Sequence, residues 1–130
     1  MLKGARFYLK EAQLRITYMV NKDCIFCKII AGEIKSKPVF ESESVIAIYD
    51  INPVAKVHIL IISKNHIESV MTIDHKNSKD IIEMFAAAQK LVLKNNLSAY
   101  RLAFNGGSYQ HVPHLHMHLV AGGKVEWSKL

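Results

Sequence analysis

His114, His116 and His118 alternate with apolar residues near the end of the chain. In a β-strand, alternate side chains share one face and lie about 7 Å apart, so three imidazoles would project from one side. Burying three imidazoles without partners or a ligand is costly, so the pattern indicates a functional site. Two chemistries suit it: ligation of zinc, and attack of a neutral imidazole on phosphorus with a second imidazole handling protons. The spacing alone leaves both open.

Cys24 and Cys27 form a Cys-x-x-Cys pair. The segment before them lacks a continuous apolar h-region, so we expect no secretory signal, and metal or redox chemistry is favoured over a disulfide framework. The pair by itself is also compatible with two small buried hydrophobic side chains. A structural zinc site would need two further ligands from elsewhere in the chain.

The net charge of +6 is divided between two parts of the 130-residue chain. Residues 1–18 hold four basic residues and one acidic residue, a balance of +3, and the remainder therefore also carries +3. A charge this mild suits a small anionic ligand and argues against duplex nucleic acid as a partner. No apolar run approaches the roughly 20 residues of a membrane helix, so we expect no membrane partner and a cytoplasmic location.

Residues 1–18 are predicted to be an N-terminal extension, and residues 19–130 a single domain. Met19 as the natural start and a short surface helix are two readings of the extension that the sequence leaves open.

The elements that must position the histidines follow from periodicity. Ser78 is the predicted N-cap of one long helix, whose apolar residues recur at helical spacing until Asn95 and Asn96. Strands before and after a single helix predict an α+β fold around an antiparallel sheet. The second of these strands contains His58 as its only titratable residue. The predicted strands are 45–49, 57–62, 101–104 and 114–120.

The segment from Asn105 to Val120 resembles the histidine triad motif, His-φ-His-φ-His-φ-φ with φ apolar. Further similarities extend over nearly all of 23–127 and point to the Hint branch of that family. They comprise the start at 23–34, Asp50-Ile-Asn-Pro53, the segment from His58 to Ile67, and Trp127 after a Gly-Gly pair.

The resemblance implies a homodimer with one sheet continued across both subunits, binding a purine nucleoside monophosphate. It implies an enzyme that cleaves the P–N bond of nucleoside 5′-phosphoramidates through a nucleotidyl-histidine intermediate. Two alternatives are a dinucleoside polyphosphate hydrolase and a nucleotide-binding regulatory protein with incidental turnover.

By the same resemblance, His116 is the nucleophile, His114 orients it, His118 contacts the phosphate and assists proton transfer, and His58 completes the cluster. The expected nucleotide contacts include Asp50 and Asn105 on the ribose hydroxyls, with Gln110 near the leaving group. The full set is Asp50, Ile51, Asn105, Gln110, His116 and His118.

The resemblance also supplies the two ligands that the cysteines lack. It implies a structural zinc ion held by Cys24, Cys27, His66 and His114, which leaves His116 and His118 free for chemistry.

His111 departs from the branch, which usually has a small hydroxyl residue there, and with Pro113 it bears on the leaving group. We expect His111 outside the pocket, with a role as an additional acid as the alternative. His75, in a polar segment, is expected on the solvated surface.

Overall fold

The computed structural model describes residues 21–130, so the predicted extension at 1–18 lies outside the described residues. Two α-helices and five strands follow one another along this part of the chain, together with four 3₁₀-helices of three residues each. The α-helices and strands are α1 (Ile25–Ile30), β1 (Phe40–Glu41), β2 (Val45–Tyr49), β3 (Val57–Ser63), α2 (Ser78–Lys94), β4 (Arg101–Ala103) and β5 (His116–Ala121). The strands form one antiparallel sheet in the order β1-β2-β3-β5-β4. This confirms the predicted α+β class.

The two faces of the sheet bury different apolar clusters. On one face, Met84, Ala88 and Leu91 of α2 pack against alternate residues of β3 and β5, including Ile61 and Met117. On the other face, Phe26 and the two cysteines of the α1 region pack against Ile46, Leu60 and Ile62. Because side chains alternate along a strand, the histidines of β5 lie on the α1 face.

β3 is buried on both faces, as its continuous apolar sequence predicts, and it pairs with both β2 and β5. In the antiparallel register with β5, Ile62 lies opposite His116 and Leu60 lies opposite His118. The pairing with the central strand β3 therefore fixes the positions of two triad histidines along the sheet.

Several predicted boundaries shift. Ser78 is the first residue of α2 and not its N-cap, because its hydroxyl donates to the carbonyl of His75 at 2.9 Å, in the preceding turn. The helix does end at the two asparagines, where Asn96 has a φ of 53°. β5 begins at His116 and not at His114, because the backbone N–H of His114 instead donates to the nearby carbonyl of Val112 at 2.8 Å.

β1 was not predicted, since two residues carry no periodic signal. Among residues 21–130, no helix combines the length and apolarity needed to cross a membrane.

Candidate active site

Two of the triad histidines, His116 and His118, border a cavity of about 410 Å³ on the α1 face of the sheet. β5 supplies His116 and His118, and the segment after β2 supplies Asp50. Asn105 enters from the segment after β4, and α1 contributes Phe26 to the wall. The cavity is therefore lined by residues from four separate parts of the chain, which the sheet brings together.

His58, His118 and Asp50 form a chain of polar contacts beneath this cavity. His58 Nδ1 accepts a hydrogen bond from the backbone N–H of Val54 at 3.1 Å, so the neutral ring carries its proton on Nε2. That Nε2–H faces His118 Nδ1 at 2.9 Å and Asp50 Oδ2 at 3.4 Å. His118 therefore accepts through Nδ1, and its own proton lies on Nε2.

These rings are held in their neutral forms. Burial lowers the pKa of His58, against the opposing effect of Asp50. Burial, and then the neighbouring rings of His116 and His58, lower the pKa of His118 to about 4. The rings of His58 and His118 are therefore uncharged at pH 7. A bound anion would raise their pKa values and allow one of them to take up a proton.

His116 is oriented by the backbone of the residue two positions before it. Its Nδ1–H donates to the carbonyl of His114 at 2.7 Å, so the lone pair of the neutral ring lies on Nε2. The residue is only 9% exposed, and burial is the largest cause of its lowered pKa. A neutral imidazole with a defined lone pair beside a cavity is suited to nucleophilic attack.

The four predicted metal ligands converge below α1. Cys24, Cys27, His66 and His114 each direct one ligand atom into a group whose atoms lie within 4.8 Å of one another. His114 Nδ1 is 3.2 Å from Cys24 Sγ and 3.1 Å from His66 Nδ1, and Cys27 Sγ is 3.3 Å from His66 Nδ1. These donors can hold a metal ion.

The protonation of this cluster also suits a cation. The hydrogen bond with Cys27 lowers the pKa of Cys24, and hydrogen bonds with His114 and His66 lower it further, although burial acts in the opposite direction. The pKa of Cys27 is raised, first by its hydrogen bond to Cys24 and then by burial. A lowered pKa at Cys24 favours its thiolate, which is the form that ligates a metal ion.

The remaining predicted nucleotide residues differ in their placement. Ile51 lines the cavity and is 91% exposed. Asn105 Nδ2 donates to the carbonyl of Leu130 at 3.0 Å. Its 3.4 Å separation from the protonated Nε2 of His118 is a contact between two donors and not a hydrogen bond. Gln110 does not line the cavity, because its amide donates to the backbone carbonyls of Glu68 and Val112. Its predicted role near the leaving group stays a prediction.

His111 lines the cavity, so the expectation that it lies outside is wrong. Its neighbour Val112 packs into the apolar cluster around Phe26, which draws this segment to the cavity rim. His111 also contributes to the lowered pKa of His118. His75 is exposed, as expected.

Phe26 and Leu130 are among the wall residues that the sequence did not predict. Phe26 lies between the two cysteines, and its position inside Cys24-x-x-Cys27 was the available signal. Leu130 closes the rim beside Asn105, and no pattern in the sequence indicated this.

A five-stranded antiparallel sheet that presents alternating histidines of one strand to a cavity defines a histidine triad domain. Residues 23–129 match the family described as Scavenger mRNA decapping enzyme C-term binding. The chain belongs to the histidine triad (HIT) family.

Individual relatives agree with this assignment. A HIT family hydrolase from Clostridium thermocellum is 43% identical, with a TM-score of 0.77 over 81% of this chain and 95% of that chain. A HIT-like protein from Borreliella burgdorferi is 36% identical over 103 residues, covering 75% of this chain and 74% of the relative. Adenosine 5′-monophosphoramidase HINT3 from Mus musculus is 28% identical over 106 residues, covering 78% of this chain and 64% of the relative.

Proposed function

We propose that this protein is a nucleotide-binding hydrolase that cleaves the P–N bond of purine nucleoside 5′-phosphoramidates of the AMP type. The observation that carries the proposal is the tautomer of His116, whose Nδ1–H is held by the carbonyl of His114 while Nε2 keeps the lone pair. The likeness to the Clostridium thermocellum hydrolase and the mouse phosphoramidase supports the reaction class.

The cavity offers suitable groups for each part of such a substrate. Asp50 and Asn105 would hold the ribose hydroxyls, and the apolar wall of Ile25, Ile48 and Ile51 would contact the base. His118, with its proton on Nε2, would donate to a phosphate oxygen. The predicted Gln110 contact would require its amide to leave the carbonyls of Glu68 and Val112.

The reaction proceeds in two displacements at phosphorus. His116 Nε2 attacks, a bond from nitrogen to phosphorus forms, and the bond to the leaving amine breaks. The negative charge of the bound phosphate raises the pKa of His118, so this ring carries the proton that the amine takes as it leaves. Water then attacks the nucleotidyl-His116 intermediate and gives a proton to His118, which restores the proton lost in the first step. The bond from His116 to phosphorus breaks, which releases the nucleoside monophosphate and the free imidazole.

The tautomer of His58 argues against a metal ion at the centre of this reaction. Asp50, His58 and His118 are close enough together to suggest a cation site. However, His58 Nδ1 already accepts from Val54, so Nε2 bears a proton and has no lone pair to offer a metal. Nucleophilic catalysis is therefore the better of the two chemistries that the histidine spacing left open.

We propose that Cys24, Cys27, His66 and His114 hold a structural zinc ion. A tetrahedral site with Zn–N near 2.0 Å and Zn–S near 2.3 Å places its donors roughly 3.3–3.7 Å apart. The three observed sulfur–nitrogen separations of 3.2 to 3.6 Å, and the nitrogen–nitrogen separation of 3.1 Å, fit this spacing within a few tenths of an ångström. His114 Nε2–H donates to the carbonyl of Ser63 at 2.6 Å, which turns Nδ1 toward the cluster. Such an ion would brace the site and activate no water.

We also propose a homodimer joined along β4. Within residues 21–130 this strand is at the edge of the sheet, and an unpaired edge is suited to strand addition. Phe85 is 45% exposed and its ring lies 6.3 Å from that of Phe104, directly after β4. Sedimentation should show a dimer for the natural chain and a monomer for Phe85→Arg. An unchanged dimer in the variant would remove this face as the interface.

The enzymatic proposal is tested with an adenosine 5′-phosphoramidate and three proteins. The natural chain should release AMP, His116→Ala should lose turnover while keeping AMP affinity, and the exposed His75→Ala should match the natural chain. Binding of AMP without release of amine by the natural chain would contradict the enzyme and favour a regulatory binder. Faster cleavage of a dinucleoside polyphosphate than of the phosphoramidate would contradict the proposed substrate.

A further inference from the structure

Phe26 links the metal-ligating cluster to the proposed nucleophile. It lies in α1 between the two cysteines and is only 6% exposed. The edge-on contact of its ring with His116 has a centroid distance of 5.0 Å and an interplanar angle of 78°. The same ring lies 5.8 Å from that of His114, at 80°. One side chain therefore contacts both a metal-ligand residue and the attacking residue.

The orientation of the His116 ring depends on contacts on two sides. Phe26 lies against it from α1, while the ring of His118 lies 5.1 Å away. The hydrogen bond from Nδ1 to the carbonyl of His114 sets which nitrogen keeps the lone pair. If the ring turned over, this hydrogen bond would be lost and Nε2 would leave its position at the cavity.

The attachment of α1 to the sheet depends on few interactions. A helix of six residues is too short to be stable alone. Its apolar side packs on Leu60 and Ile62, and its cysteines meet His66 and His114, which belong to the segments after β3 and before β5. A metal ion shared by these four residues would tie α1 to the residue whose carbonyl orients His116.

We propose that Phe26 is a positioning residue that transmits metal occupancy of the Cys24, Cys27, His66 and His114 cluster to the orientation of His116. The expected effect on turnover rests on the proposed function, but the expected effect on the tautomer of His116 can be measured without substrate. Metal binding thereby regulates the nucleophile through two connections, the Phe26 ring and the His114 carbonyl. The metal takes no part in the reaction itself.

The experiment uses ¹⁵N-labelled histidine to record the tautomer of His116 by NMR in the full chain, without nucleotide. The zinc-loaded natural protein should show one tautomer with the proton on Nδ1. Removal of zinc by a chelator, or Phe26→Leu in the loaded protein, should give a mixture of both tautomers. Phe26→Met, which fills the space with a flexible chain, should act in the same direction if Phe26→Leu fails to fold.

Ile30→Ala provides the matched control. Ile30 is the last residue of α1 and packs on the same apolar cluster, but it does not line the cavity. It should loosen α1 without changing the His116 tautomer. An equal tautomer mixture in Ile30→Ala and Phe26→Leu would overturn the inference, as would a single unchanged tautomer after both zinc removal and replacement of Phe26.

Kinetics with the phosphoramidate then separate the two proposals. Phe26→Leu should lower kcat by about tenfold, because small displacements of a reacting group have large rate effects, while the Kd for AMP changes less than threefold. A loss of AMP affinity with unchanged kcat would contradict the positioning role. If zinc removal and Phe26→Leu change the tautomer of His116 but the natural chain does not cleave phosphoramidates, the positioning role of Phe26 is retained and the proposed function is refuted.

Discussion

The low pKa of His118 makes a quantitative prediction about stability. The ordinary pKa of a histidine is 6.5, and burial with two neighbouring rings lowers that of folded His118 to about 4. As the pH falls below about 6.5, the ring in the unfolded chain takes up a proton, whereas the ring in the folded protein becomes protonated only near pH 4. Acid therefore favours unfolding. The gap between these two values corresponds to about 3 kcal/mol in total, of which about 2 kcal/mol is lost between pH 7 and pH 5.

Urea unfolding at pH 7 and pH 5 measures this contribution. For His118→Gln the loss of unfolding free energy over this interval should be about 2 kcal/mol smaller than for the natural chain. The exposed His75→Gln should show the same pH dependence as the natural chain. An equal pH dependence in His118→Gln and the natural chain would show that folded His118 titrates normally and would refute the reasoning.

Three further changes have defined outcomes. Met84 of α2 is 0% exposed, and Met84→Ala should lower the free energy of unfolding in urea by about 2–5 kcal/mol. Leu93 on the same helix is 76% exposed, and Leu93→Ala should change that free energy by less than about 1 kcal/mol. Equal effects of the two substitutions would contradict the assigned core. Asp50→Asn should weaken AMP binding in calorimetry by roughly tenfold, since a hydrogen bond to a charged acceptor is lost, and unchanged affinity would remove Asp50 from the ribose site. Cys27→Ser should abolish the stoichiometric zinc that elemental analysis is expected to find in the natural chain, and full retention of zinc would contradict the ligand set.

The sequence predicted the fold class and the clustering of the site residues better than the element boundaries. The spacing of His114, His116 and His118 predicted three imidazoles on one side. His116 and His118 do line the cavity on that side, whereas the ring of His114 contacts Cys24 and His66. Strand β3 was predicted to within one residue because its apolar run is continuous. The start of β5 was missed because the turn at His114 is set by a backbone hydrogen bond to Val112, which leaves no periodic signal.

The parts of the site that sequence reasoning could not place depend on long-range packing. His111 reaches the cavity because Val112 packs on a cluster built by α1 and β3. The contact between Phe26 and His116 joins residues 90 positions apart, so no local pattern could reveal it. The spacing of Cys24 and Cys27 indicated a metal site, but His66 and His114 were assigned to it only through the resemblance to the family.

The most direct measurement of the central claim is mass spectrometry of the protein trapped with a slowly hydrolysed adenosine 5′-phosphoramidate. We expect an added adenylyl group on His116 that forms and decays at rates consistent with turnover, and none in His116→Ala. An adduct on another residue, or turnover with no adduct at any time, would contradict nucleophilic attack by His116.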